Sequence, residues 1–158
     1  MPIYMKYASI DGDVSESTHS QWIEVNSFQW GVGRGISSPT GGSSDRESSA
    51  PSVSEAVVTK PTDLATIKLI DEALQGKGQD CTIDFCKTDN GQLSVYLSYT
   101  LNNTMISGYS KNSSGDRPME NLSLNFTKIA VKDVALSAKN ADGSPSTVTY
   151  DIGLAKIV

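Results

Sequence analysis

The chain has 158 residues and a mass of 16.9 kDa, the size of one domain. A chain of this length buries about 70% of its unfolded surface and folds without a disulfide framework or a structural metal. Eighteen acidic against thirteen basic side chains leave a net charge of −5 and a pI near 4.7, the wrong sign for neutralising nucleic-acid phosphates or anionic lipid, so neither nucleic acid nor a membrane surface is expected as a partner.

Residues 1–11 hold no uninterrupted apolar stretch and meet a charge at Lys6, so the sequence predicts synthesis in the cytoplasm without a cleavable signal. No run of eighteen apolar residues occurs. Alternation with period two, interrupted by turn residues, predicts an all-β sandwich or barrel with strands near 3–10, 21–30, 53–59, 80–88, 92–101, 103–110, 119–132 and 146–152.

After the first strand, Asp11-Gly12-Asp13-Val14-Ser15-Glu16-Ser17 begins like a calcium loop. Its sixth position is Glu16, where glycine is needed, and its twelfth is Trp22, where a bidentate glutamate belongs, so it reads as an Asp-Gly turn. His19 stands at no spacing that suggests a triad and reads as a surface-loop residue. As the single histidine, in a chain without CxxC or HExxH, it also leaves zinc without its usual ligands, and no metal or cofactor is expected. Trp22, Phe28 and Trp30 share a parity on the second strand. Glu24 and Asn26 interrupt them, which favours core or interface packing over a sugar-stacking platform. Gly31-x-Gly33-x-Gly35 lacks the lysine and the following helix of a phosphate loop.

Residues 33–52 are rich in Gly and Ser, with one large apolar side chain and no periodicity, and read as a structureless loop. The loop is longer than joining two strands requires and too polar for core, so its role is expected outside the subunit's own fold. Arg34, Asp45, Arg46 and Glu47 are its candidate contact residues.

Between Thr62 and Leu74, apolar residues recur at steps of three and four. This predicts one helix over 62–75, capped by Thr62, complemented by Asp63, stopped by Gly76, and packed inward through Leu64, Ile67 and Leu74. The strands 80–88 and 92–101 join through Thr88-Asp89-Asn90-Gly91, where Asn-Gly supplies the positive φ of a tight hairpin. Cys81 and Cys86 fall on opposite faces of their strand and cannot bridge each other. In 119–132, Leu122, Leu124 and Phe126 are even while Ile129 and Val131 are odd, a slip that predicts a bulge near Lys128. A small hydrolase would need buried carboxylates near Asp84, Asp133 or Asp151. No nucleophile–base pair accompanies them, and catalysis is not expected.

Several runs together resemble one family. Ile3-Tyr4-Met5-Lys6-Tyr7, Ile10-Asp11-Gly12, Glu16-Ser17, Trp22-Ile23-Glu24-Val25 and Ser27-Phe28-Gln29-Trp30-Gly31 resemble the opening of the haemolysin-coregulated protein (Hcp) family, the tube protein of bacterial type VI secretion systems. Lys60-Pro61-x-Asp63 is similar to the start of that family's helix, Leu122-Ser123-Leu124-Asn125-Phe126-x-Lys128-Ile129 to its late core strand, and Tyr150-Asp151-Ile152-Gly153-Leu154-Ala155 to its closing strand. Ser15-Glu16-Ser17 departs from the family's frequent Gly-Glu-Ser, and Thr66-Ile67 from its frequent Ser-Pro.

The resemblance implies a mainly β fold: a β-barrel of two packed antiparallel sheets with one flanking α-helix, like a phage tail tube. It also implies a homohexameric ring that stacks into a tube, a spike protein and a contractile sheath as partners, and small effector proteins carried in the lumen. Export without a signal peptide then follows, and the loop at 33–52 is assigned to contacts between successive rings. The alternative reading is a carbohydrate-binding or adhesin-type β-sandwich module that exposes Trp22, Trp30 or Tyr96 together on one face.

Overall fold

The computed structural model describes residues 1–38, 40–41, 46–136 and 142–158, with the backbone alone at 47, 134–136 and 142–144. In chain order the elements are β1 (Ile3–Tyr7), β2 (Ile23–Val25), β3 (Ser27–Gln29), β4 (Val32–Gly33), β5 (Ile36–Ser37), β6 (Glu47–Ser48), β7 (Ser52–Val53) and β8 (Ala56–Pro61). There follow α1 (Thr66–Gln75), β9 (Gln79–Asp89), β10 (Gln92–Asn112), β11 (Met119–Asn125), β12 (Lys128–Leu136), β13 (Asp142–Asp151) and β14 (Lys156–Ile157).

Two antiparallel sheets pack face to face. The first runs β2-β1-β9-β10-β12-β13-β14, and the second runs β10-β11-β8-β3. β10 belongs to both, because Leu97–Asn102 pairs with β12, and with β9 through Leu101, whereas Met105–Asn112 pairs with β11. The predicted strands 92–101 and 103–110 are therefore one strand. Register shifts at Val95/Leu97 and Leu101/Thr104 bend it from one sheet into the other. The run β2–β3 makes the same passage around Asn26, pairing first with β1 and then with β8. The ladder does not close into a cylinder, so the predicted barrel is two packed layers joined through these two chain segments.

The parity slip near Lys128 has a different cause from the predicted bulge. Asn125 pairs with Met105 and Lys128 pairs with Asn102, so the chain changes sheets between β11 and β12, and inward-pointing residues change parity with it. The hairpin at Asn90-Gly91 forms as predicted, with φ of 49° and 76°.

Alternation fills the space between the layers. Met5 and Tyr7 from β1, Ile23 and Val25 from β2, Val58 from β8, Cys81 and Ile83 from β9, Leu101 and Ile106 from β10, and Leu122 and Leu124 from β11 are buried together. Tyr7 donates its hydroxyl hydrogen to the Thr104 carbonyl at 3.1 Å, satisfying the one polar atom of a buried ring.

α1 begins at Thr66, later than predicted, and its capping acceptor is Asp63. The Asp63 carboxylate accepts from the Ala65 amide at 3.0 Å, while the Thr66 hydroxyl accepts from the Asp63 amide at 3.0 Å. The helix stops at Gly76 as predicted, for a steric reason: its φ is −69°, and any Cβ there would run into Glu72. The buried face, however, is Ala65, Thr66 and Leu69. Leu64, Ile67 and Leu74 are 68%, 75% and 81% exposed, so the predicted packing of those three on the sheets is overturned.

The stretch 33–52 is not structureless. β4 pairs with β7 and β5 with β6, building a projecting hairpin whose arms are also joined where Ser49 Oγ accepts from the Gly35 amide at 3.0 Å. Each ladder is only two residue pairs long, Val32–Val53 and Gly33–Ser52 in one and Ile36–Ser48 and Ser37–Glu47 in the other, too short to set up an alternation that sequence periodicity could register.

Candidate functional site

Among the described residues, two buried polar clusters stand out, and both hold the fold together. Lys60 and Glu120 are completely buried on the inward rows of β8 and β11. Lys60 Nζ lies 3.0 Å from Glu120 Oε2 and 2.9 Å from Asp63 Oδ1. Thr66 and Tyr109 donate to the two Glu120 oxygens at 2.8 and 2.7 Å. Burial alone would raise the Glu120 carboxyl, but those hydrogen bonds and the Lys60 charge outweigh it and hold the group below the usual carboxylate range. The network fastens the start of α1 to the second sheet and explains why Thr66, rather than Ile67, turns inward.

His19, read from sequence as a surface residue, is only 4% exposed. Its Nδ1 lies 2.9 Å from Glu16 Oε2 and its Nε2 lies 3.0 Å from Asp84 Oδ2, with the ring between Tyr4 and Trp22. Ser98 donates to the other Asp84 oxygen at 2.6 Å. A hydroxyl does stand against the imidazole, Thr18 Oγ1 at 2.9 Å from His19 Nδ1, but Thr18 donates its hydrogen to Glu16 Oε2 at 2.6 Å, and the Ser98 hydroxyl meets the Asp84 carboxylate and not the imidazole, so neither hydroxyl hands its proton to His19 as a triad nucleophile does. Cys86 Sγ lies 4.0 Å from His19 Nε2, and its thiol is pushed up to about 11, first by burial and then by the charges of Asp84 and Glu16.

The cluster pins the segment 11–22 onto β9. That segment is closed by its own backbone bonds, with Gly12 so close to the Trp22 carbonyl that a Cβ could not fit. Of the other two carboxylates, Asp133 is exposed and Asp151 accepts from the Leu154 amide. Among the described residues, no three His, Cys, Asp or Glu side chains are grouped to hold a metal ion.

The surfaces are more informative. The outward row of the second sheet carries small polar side chains, Ser27 and Gln29 on β3, Thr59 on β8, Asn121 and Ser123 on β11 and Ser107 on β10, interspersed with Val57, Met105 and Met119. Thr59 donates to Asn121 at 3.0 Å, and Ser107 donates to Glu55. Gln29, Val57, Ser107 and Ser123 share one shallow depression on that face.

On the inner side of the first sheet, β12, β13 and β14 extend past the second sheet. They leave an apolar cleft of about 190 Å³, walled by Trp30, Val32, Pro51 and Val53 and floored by Val131, Val148, Tyr150 and Ile157. A third surface is the exposed stripe Leu64, Ile67 and Leu74 beside α1.

Of the four loop residues singled out from sequence, Arg34 lies exposed between the two short ladders, and Arg46 lies exposed beyond the outer one. The backbone of Glu47 pairs with Ser37, and Asp45 falls outside the described residues. The hairpin holds Arg34 and Arg46 apart along its length. Trp22, Phe28 and Trp30 form no common platform: Trp22 meets His19, and Phe28 and Trp30 pack on Tyr99. The buried pair Lys60–Glu120 went unnoticed in the sequence, although both residues stand at inward parity among apolar neighbours.

Residues 4–132 match the family model described as type VI secretion system effector, Hcp. Among solved structures, one described as a type six secretion system protein superposes with a TM-score of 0.87 at 24% identity, covering 99% of both chains. Hcp1 from Salmonella typhimurium gives 0.80 at 22% identity, covering 99% of this chain and 98% of its own. A type VI secretion system effector from Yersinia pestis gives 0.74 at 21%, covering 94% and 98%. No curated protein sequence matches. These structures share with this chain its fold, over nearly its whole length.

Proposed function

The chain belongs to the Hcp family of type VI secretion, and from that membership we propose that it is the structural subunit of the secretion tube. Six copies form a ring, rings stack into a tube, and a contractile sheath drives the tube with its spike protein. Small effector proteins travel in the lumen.

The observation that supports this best is the state of the second sheet. Among the described residues, β3 pairs on one side only, with β8, and the second half of β10 pairs on one side only, with β11. A sheet with two open edges is an aggregation hazard unless those edges are covered, and a closed ring covers both in every copy. The outward face between them, with Gln29, Ser107, Asn121 and Ser123, then becomes the wall of the channel. Its hydroxyls and amides, interspersed with Val57 and Met105, hold cargo through many weak contacts, in keeping with a lumen that must also release it.

The carbohydrate-binding alternative finds no support in the aromatic residues, which pack on one another and on His19. Negative-stain microscopy with sedimentation of the purified chain tests the proposal. Annuli with a mass several times 16.9 kDa are expected, and particles of single-chain mass at micromolar concentration overturn it.

A further inference from the structure

α1 is not seated on the centre of its own apolar face. With Thr66 as zero and one residue per about 100° of turn, Leu69, Ala73, Ile70, Leu74 and Ile67 stand at about −60°, −20°, +40°, +80° and +100° respectively. Lys68, Asp71, Glu72 and Gln75 fill the opposite sector. The apolar arc is centred near about +20°, and apolar burial alone would turn that direction to the sheets. The buried residues of the helix are instead Thr66 and Leu69, whose midpoint lies near about −30°. α1 is therefore held about 50° off its hydrophobic optimum, with a threonine inside and Ile67 and Leu74 left 75% and 81% exposed.

One group of side chains opposes the roll. Lys60 Nζ donates its three hydrogens to the Pro61 carbonyl at 2.8 Å, to Asp63 Oδ1 at 2.9 Å and to Glu120 Oε2 at 3.0 Å. Thr66 donates to the same Glu120 oxygen at 2.8 Å, and Tyr109 donates to the other at 2.7 Å. Each of these donors has its acceptor, and a fully satisfied buried network is stiff. Among the described residues, Thr66 carries the only α1 side chain hydrogen-bonded to either sheet. A roll of about 50° would sweep a side-chain tip, about 5 Å from the helix axis, through about 4 Å and break that bond.

A buried ion pair adds little net stability, because both charges give up their water to meet. What this one supplies is direction. It grips the first turn of α1, where the Thr66 hydroxyl sets how the whole cylinder is rolled.

We propose that Lys60, Asp63, Thr66 and Glu120 form an orientation lock, which holds α1 off its hydrophobic optimum and so keeps Ile67 and Leu74 at the subunit surface. Lys60 and Glu120 are positioning residues in this device and act through Thr66. Without the lock, α1 settles on the centre of its apolar arc: Leu74 and Ile67 turn toward the sheets, and Leu69 moves to the flank. The chain stays folded and presents a different surface. The device works within one chain and does not depend on the tube reading.

The test compares the full chain with its double variant Lys60→Met, Glu120→Leu, which removes both charges together. Each is labelled on Leu and Ile methyl groups and assembled with an excess of fully deuterated chains, so that nuclear Overhauser contacts are read within one chain only. In the unaltered chain, Leu69 is expected to contact the core methyls of β10 and β11, and Leu74 to show no such contact. In the double variant, Leu74 is expected to gain these contacts while Leu69 loses them. A double variant that keeps the unaltered pattern overturns the lock. So does one in which both residues lose contact, since plain undocking is what a merely structural network would give.

Should the double variant fail to fold, Thr66→Val replaces it. Valine keeps the size of the side chain and removes its bond to Glu120, so the same exchange of contacts is expected, and an unchanged pattern overturns the proposal. Rings and single chains give the same reading, so failure of the lock leaves the tube proposal standing, and the reverse.

Discussion

Glu16 illustrates how one loop residue sets a pH dependence. The Thr18 hydroxyl and amide donate to its carboxylate at 2.6 and 3.0 Å, with further bonds from His19 and Ser17, and together they lower its pKa from 4.5 to about 2. A carboxyl whose folded value is depressed favours the native state above its unfolded value and loses that contribution as pH falls through the folded one. The melting temperature is therefore expected to decline between about pH 4.5 and pH 2. Glu16→Gln should show a shallower decline across that window in thermal melts followed by circular dichroism. A second residue-scale expectation concerns Lys60 and Glu120. Removing one partner strands a buried charge, so Lys60→Met or Glu120→Leu alone is expected to cost about 3–5 kcal/mol, and the double variant to recover much of it. Urea titrations of the three variants measure this directly. The pair was legible in principle: Lys60 follows Ala56 and Val58, and Glu120 precedes Leu122 and Leu124, at the spacing that directs side chains inward.

At the scale of elements, α1 shows where pattern reading succeeds and where it stops. Steps of three and four between apolar residues reveal a helix, and they do so here. They say only that one stripe is apolar, not which surface covers it. In this chain the Lys60–Glu120–Thr66 network rotates Ala65, Thr66 and Leu69 toward the sheets, leaving the bulkier stripe outward. Leu69→Asp is accordingly expected to abolish cooperative folding, since an unpaired carboxylate in that core costs several kcal/mol against a total stability of about 5–15 kcal/mol. Ile67→Asp, at a position 75% exposed in the subunit, should change the unfolding free energy of the isolated subunit by no more than about 0.5 kcal/mol. The hairpin at Asn90-Gly91 was readable to the residue because its turn chemistry is local. The His19 cluster was not, because it joins positions 16, 19, 84 and 98, which only the fold brings together.

At the scale of the whole molecule, the 33–52 hairpin is the part with least to do inside the subunit. We propose that it reaches the next ring, where exposed ion pairs and hydrogen bonds are each worth about 0.2–1 kcal/mol but recur around the ring. Replacing residues 36–49 with a short Gly-Ser link is expected to leave rings intact by sedimentation while tubes and export are lost. Normal export without the hairpin would remove it from the stacking contact, and loss of the ring would move it to the contacts within a ring. The two-layer architecture was evident in the alternation. The continuity of β10 was not, because the register shifts that bend it look, in sequence, like the end of one strand and the start of another.

That continuity has a consequence for how the molecule comes apart. Leu97–Leu101 is hydrogen-bonded to β9 on one side and β12 on the other, and the same strand continues as the edge of the second sheet. Neither layer has a backbone of its own to keep if the other melts. Denaturation should thus be all-or-none, and the amide protons of this stretch should exchange with solvent only when the entire chain opens, at the rate that reports global stability. A subunit with no partly open form cannot deform gradually under axial load. In the tube proposed above, such a subunit would pass on an axial push as one body rather than yielding layer by layer.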